Sequence, residues 1–247
     1  MVSQGMEMKN IREIIARAII LVCLSDRCAL EENIIEGRRY TKSEREKQRE
    51  AITNWLNSTR YMEYATEKER ELFDKQVGAV HKNNLLQYQV QYEAVEPCLW
   101  ALGLVEQLSD YENFVLEDFH PILQIGMNHS YEQVIAACKP RESNEIELQT
   151  EIAMLWNWRA QGAYNPVFKE ESIVDVVPKI LGEQYSEILP HVSNLDVNGK
   201  DFLVKNRLFT SLNTMEKERI RMIAVWRQHA FKWIIGNDSW DEVEVNT

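Results

Sequence analysis

Apolar residues recur along this chain at helical rather than strand spacing. Ile11, Ile14, Ile15, Ala18, Ile19, Val22 and Cys23 fall on one broad face of a 3.6-residue period, which predicts a long amphipathic first helix. Thr41 with Glu44 and Thr66 with Glu69 carry the capping-box pattern. In that pattern each side chain satisfies the other's free backbone N–H, so two further helix starts are predicted, the first helix ending near Trp55 and Leu56. A third long pattern runs from Asn84 to Leu108 through Leu85, Tyr88, Tyr92, Val95, Leu99 and Leu102, with Pro97 inside it as an expected kink or break. Ser130 with Gln133 opens a short helix to Cys138. Asn144 with Glu147 caps one that runs to about Gly162, and residues 170–189 read as helical although Pro178 and Gly182 weaken them. The good hairpin signal is Asn198-Gly199, within 196–210. Asn213 with Glu216 opens the last helix, which Gly236 closes.

Nine glycines and six prolines in 247 residues leave few turns, and few turns at this length favour long helices. The expected fold is all-α: a multi-helix globular bundle with one small β-hairpin near 196–210 and a docked C-terminal tail. A single domain over 1–247 is expected. PRESN (Pro140–Asn144) is the place where it would divide into two packed helical halves.

Charge narrows the classes of partner. The formal net charge of −11 repels phosphate backbones at long range, so nucleic-acid binding is not expected. The basic run GRRYTKSEREKQRE (Gly37–Glu50) alternates with glutamates as a solvated helix face does. Four cysteines (Cys23, Cys28, Cys98, Cys138) without regular spacing read as free thiols in a reducing compartment. The apolar run AIILVCL (Ala18–Leu24) is too short to span a bilayer and lacks a cleavage pattern. No membrane association and a cytoplasmic location are therefore expected. EDFHPILQIGMNH gathers Glu117, Asp118, His120 and His129, but at no zinc or di-iron spacing. The sequence shows no glycine-rich phosphate loop, no Gly-x-Ser-x-Gly elbow and no Cys-x-x-Cys. No metal and no cofactor are expected, and the reading leans away from an enzyme.

Two arginines stand where apolar residues belong. On a helical wheel Ile220, Ile223, Ala224, Ala230, Phe231 and Ile234 form one arc with Arg227 at its centre. Met222, Trp226, His229 and Trp233 cover the adjoining arc, leaving Arg221, Val225, Gln228 and Lys232 for water. Arg159 falls in the stripe of Leu148, Ile152, Leu155 and Trp158 in the same way. A guanidinium cannot shed its charge, so each should be buried against acids or carbonyls. The segment after Gly236 is acidic and carries Trp240. The expected clamp has Trp240 docking the tail beside Trp233, and Asp241 reaching Arg227 or a neighbouring cation. Glu93 is the other expected partner of Arg227. The same arginines with His229 could instead converge on a carboxylate or phosphate ligand.

WRQHAFKWIIGNDSWDEVEVNT (Trp226–Thr247) resembles the C-terminal signature of an uncharacterised, mainly bacterial family, domain of unknown function 4272. Arg227, Ala230, Trp233, Trp240, Asp241, Val243 and Thr247 match it. YEAVEPCLWALGLVEQL (Tyr92–Leu108), LWNWRAQ (Leu155–Gln161) and NWL (Asn54–Leu56) are similar to other stretches of that family. Trp226 stands where the family usually has Glu, Asn246 where it has Asp, and Gln91 where Arg is expected. If those charges made a site, this member has lost part of it. The resemblance implies no established activity. The leading expectation is a cytosolic, non-enzymatic accessory or interaction protein whose acidic surface suits a basic partner, as an immunity-type protein neutralises a toxin. The alternative is a binder of, or enzyme acting on, a small anionic metabolite through Arg159, Arg227 and His229.

Overall fold

The computed structural model describes residues 8–32, 34–35, 37–127, 131–162, 171–192, 195–196 and 198–245. It is a mostly helical bundle built around α1 (Ile11–Ala29), whose first turn is closed by a capping box between Asn10 and Glu13. The predicted single apolar face of α1 is corrected by the structure. Every residue from Ile14 to Leu24 is buried, including Ala16, Ile20 and Leu21 off that face. A helix apolar nearly all round is enclosed all round.

Helices α2 (Lys42–Ser58) and α3 (Glu67–Asp74) start at the predicted Thr41 and Thr66 capping boxes. A short hairpin that the apolar pattern did not signal, β1 (Ile34–Ile35) and β2 (Arg38–Arg39), precedes α2. The third long pattern is cut in two. Helix α4 (Lys82–Gln89) passes through a 3-10 stretch, Val90–Ala94, into α5 (Val95–Ala101). The break therefore lies before Pro97, which sits in the first turn of α5, where its missing N–H costs little. Helix α5 also stops short of Leu108. Gly103 (φ +67) turns the chain where any Cβ would lie 2.2 Å from the Lys139 carbonyl oxygen.

Helices α6 (His120–Leu123) and α7 (Tyr131–Ala137) follow; Ser130, the expected cap of α7, lies outside the described residues. Lys139 and Arg141 donate backbone N–H groups to Leu102 and Ala101, so the stretch chosen as a dividing point is stitched to the end of α5. Helix α8 (Ser143–Gln161) is capped by Glu142, two residues before the Asn144 cap expected for it. Glu145 accepts there from the Glu142 N–H at 3.2 Å. The helix expected over 170–189 is confined to α9 (Ile173–Leu181), ended by Gly182 at φ +117 and followed by 3-10 turns.

The hairpin near 196–210 exists, but its turn is not Asn198-Gly199. Strands β3 (Leu203–Val204) and β4 (Arg207–Leu208) are joined by Lys205 and Asn206, both at positive φ (51° and 60°), as a tight two-residue loop requires. Asn198-Gly199 serves the preceding turn, closed by the Leu195–Phe202 bridge. Helix α10 (Thr214–Ile235), capped by Asn213 and Glu216 as expected, packs along α8 on one side and on Val90–Ala94 and α5 on the other. Gly236 ends it extended (φ −103°, ψ 174°) rather than left-handed. Gln228, expected in water, is 0% exposed and accepts from Asn157 Nδ2 at 2.7 Å across the α8–α10 seam. Among the described residues no helix is long and apolar enough to cross a membrane.

Candidate functional site

Four arginines lie inside this fold: Arg17 and Arg27 on α1, Arg159 on α8 and Arg227 on α10. The guanidinium of Arg159 makes a two-pronged bond to Asp201, 2.8 Å from Nε to Oδ1 and 2.8 Å from Nη2 to Oδ2. Asp201 also takes the N–H groups of Phe202 and Thr210, which ties the β3–β4 region to α8. Arg17 places Nη1 2.7 Å and 2.9 Å from the two oxygens of Glu69 and donates to the Tyr64 carbonyl. Arg27 pairs with Glu31 and donates to the carbonyls of Leu72 and Lys75. Each buried cation thereby joins segments that are distant in sequence. Such pairs are costly to break, because the surviving charge stays out of water.

Arg227 differs in having two acids. Its Nη2 lies 3.6 Å from Glu93 Oε2 and 3.4 Å from Glu96 Oε2. Its Nη1 donates to the Ser109 carbonyl, and the guanidinium carbon stands 4.7 Å over the Tyr111 ring. The other carboxylate oxygens are satisfied: Glu93 Oε1 by the Val115 N–H at 2.7 Å, and Glu96 Oε1 by the N–H and hydroxyl of Ser109 at 3.0 and 2.6 Å. Neither Oε2 atom receives a hydrogen bond among the described residues. Burial pushes the Glu93 carboxyl up to about 7; Arg227 and the Val115 N–H pull the other way.

Trp240 is 4% exposed. Its ring meets His229 and Trp233 edge to face, at 4.4 and 5.4 Å between centroids, and the Arg17 guanidinium stands 4.7 Å over the ring. The Trp240 carbonyl accepts from His229 Nε2 at 3.0 Å. Burial drives His229 down to about 4, so the imidazole is neutral with its proton on Nε2. Asp241 does not meet Arg227; its Oδ2 is 3.9 Å from Lys68 Nζ, both side chains well exposed. Thus Trp240 with Trp233 makes the tail contact, and Glu93 with Glu96 neutralises Arg227.

Arg159, Arg227 and His229 stand in three different surroundings. His229 lines a cavity of about 480 Å³ between α10, the start of α3 and α4. Neither arginine lines any of the three cavities described. His120 holds Asp118 at 2.6 Å through Nδ1 and Asp26 at 2.8 Å through Nε2. Bonding to Asp26 lifts it to about 9, so it is a cation pinning the start of α6 to α1. His129 lies outside the described residues, as do Asn246 and Thr247. Among the described residues no three His, Cys, Asp or Glu side chains are placed to hold a metal ion.

A second cavity, of about 530 Å³, opens beside His120. Leu86 and Val90, Phe114 and Leu116, and Met222 give it apolar walls, and Glu93 forms part of its lining. Asp26, Glu117 and Asp118 also line it, with the His120 cation offsetting one of the three. Leu116 is 90% and Leu86 55% exposed. Large apolar side chains held in water beside one another mark contact surfaces more often than chance.

Sequence reasoning missed Asp201, Glu96, Glu69 and the burial of Arg17 and Arg27. For Arg17 a signal existed: three apolar residues precede it and seven follow, and a helix apolar all round encloses whatever cation it carries. Glu96 lies one helical turn after Glu93 and so shares its face. Asp201 carries no signal, being one of several polar residues in a turn-rich stretch.

Comparison with curated proteins and with solved structures returns no match. A family described as Domain of unknown function (DUF4272) matches residues 2–184. That span contains α1 to α9, Glu93, Glu96, Arg159 and the cavity beside His120 apart from Met222; the Trp226–Thr247 stretch lies beyond it. On that match the chain belongs to the DUF4272 family, whose function is unknown.

Proposed function

We propose that this protein is a cytoplasmic, non-catalytic interaction protein that holds a basic partner in the cavity beside His120. The observation that carries the reading is Leu116, 90% exposed, which shares the lining of this cavity with Leu86, Phe114 and Met222 and with the acids Asp26, Glu117 and Asp118. Apolar walls with acids among them complement an amphipathic segment that presents leucine-like side chains flanked by lysine or arginine. The net charge of −11 acts over the whole surface in the same sense. The alternative, a small anion held by Arg159, Arg227 and His229, has no such support, since those groups share none of the described cavities.

The test is fluorescence anisotropy with a synthetic amphipathic helix of lysine and leucine, against a glutamate–leucine helix as control. The basic peptide should bind and the acidic one should not, with affinity falling as salt is raised. Leu116→Ser should weaken binding roughly ten-fold or more, the equivalent of losing one leucine's worth of buried surface. Equal binding of both peptides, or indifference to Leu116→Ser, would remove this reading.

A further inference from the structure

We infer that the cavity beside His120 is a receptor for one ammonium or guanidinium group, a lysine or arginine side chain of the partner, with the Glu93 carboxylate as its counter-ion. The inference rests on the proposed function for the identity of the ligand, but on separate observations for the site.

Charge balance comes first. Arg227 is one guanidinium facing two carboxylates, Glu93 and Glu96, and all three side chains are at most 3% exposed. One negative charge is left over among side chains that are almost fully buried. A buried carboxylate in excess takes up either a proton or a second cation. Geometry then selects Glu93 over Glu96. Of the two, Glu93 lines the cavity. Its Oε1 is held by the Val115 N–H, and its Oε2 faces Arg227 only as an ion pair at 3.6 Å, longer than a hydrogen bond, with no hydrogen-bond donor among the described residues.

The cavity suits a long aliphatic cation. Leu86, Val90, Phe114 and Met222 offer apolar surface for a methylene stem, which is how lysine and arginine bury their chains while the charge seeks a polar partner. The volume of about 530 Å³ is that of an ordinary small-ligand pocket. Asp26 and Asp118 in the lining attract the same charge that Glu93 receives. Groups that bear on Glu93 are Arg227 on α10, Glu96 on α5, and Tyr111 in the loop that follows α5. At neutral pH the carboxyl is poised between its two forms, because burial holds it near 7. Entry of an ammonium therefore breaks the Glu93 O–H bond where it exists, the proton passes to buffer, and the ammonium takes its place.

The probes are n-hexylammonium and n-hexanol, of equal stem length, titrated into the full chain and followed by NMR. At pH 8 the ammonium should bind at least ten-fold more tightly than the alcohol. Its affinity should rise several-fold between pH 5.5 and pH 8, while that of the alcohol stays flat. Glu93→Gln should bring the two probes to equal affinity. Equal affinities in the natural protein at pH 8, or a preference that survives Glu93→Gln, would overturn the inference. The pH series needs no variant, so it decides the matter even if Glu93→Gln fails to fold. The two readings fail separately. Hexylammonium bound at Glu93 with no binding of the lysine–leucine helix sinks the partner and keeps the cavity. The helix bound equally by Glu93→Gln sinks the cavity and keeps the groove.

Discussion

Replacing Glu93 by glutamine should make the protein more stable at alkaline pH, a result opposite to that usually expected of cutting a buried ion pair. Glu93 moves from an ordinary 4.5 to about 7 on folding, with desolvation as the largest cause. The folded state therefore binds the proton more tightly than the unfolded chain. Between those two values the folded chain carries more protons, so stability falls as pH rises, and the loss is complete above the folded value. At roughly 1.4 kcal/mol per pH unit, raising the pH from 5 to 8 costs about 2–3 kcal/mol through this one group. Glutamine keeps the carbonyl that accepts from Val115 and leaves Arg227 paired with Glu96. Thermal melts of both forms from pH 5 to pH 8.5 read the difference. The variant should gain roughly 5–10 °C on the natural protein over that range, for a chain of this length. Other titrating groups, His120 and His229 among them, shift both forms alike and cancel. A difference in melting temperature that does not change with pH would refute the reasoning, because Glu93 would then carry the same charge in both states.

Three further outcomes follow from the geometry. Asp201→Asn leaves the Arg159 guanidinium buried and turns an amide N–H toward Arg159 or the Thr210 N–H; it should cost about 3–5 kcal/mol, measured by urea unfolding, and a loss under 1 kcal/mol would contradict the pairing. Trp240→Ala removes a buried indole from between His229, Trp233 and Arg17; about 3–5 kcal/mol is expected, and ending the chain at Gly236 should be at least as damaging, whereas an unchanged melt would show that the tail does not dock. The thiols of Cys23, Cys28 and Cys98 are buried, and burial pushes those of Cys28 and Cys98 up to about 12; a thiol reagent at pH 7.5 should leave these three untouched in the folded protein and reach all four cysteines after unfolding.

Much of this architecture was legible because its signals are local. Capping boxes at Thr41, Thr66 and Asn213 marked three helix starts, and each is decided within four residues. The burial of Arg227 and Arg159 was equally legible, since a stripe on one helix is enough to show it. Glu93 could be named as a partner of Arg227 because it lies on the flank of a recognisable helix. What stayed hidden depends on contacts between distant segments. Arg159 finds Asp201 forty-two positions away, in a stretch with no period to read. Tight-turn chemistry misled at Asn198-Gly199, because Lys205 and Asn206 adopt the positive φ angles that Asn-Gly more often supplies. Gln228 looked like a water-facing residue until α8 brought Asn157 against it. The cavity beside His120 is assembled from the end of α1, from α4 and the 3-10 stretch after it, from the loop around Leu116, and from Met222. No pattern within any one of them announces it.

The central claim, that an apolar cavity lined in part by acids receives a basic segment, is tested most directly by methyl NMR. The full chain, labelled at methionine and leucine methyl groups, is titrated with the lysine–leucine helix. Met222, Leu86 and Leu116 should shift together and saturate at one affinity, while Leu155 in the α8 core and Met215 at the start of α10 stay in place. Saturable shifts elsewhere, with those three unmoved, would contradict the account.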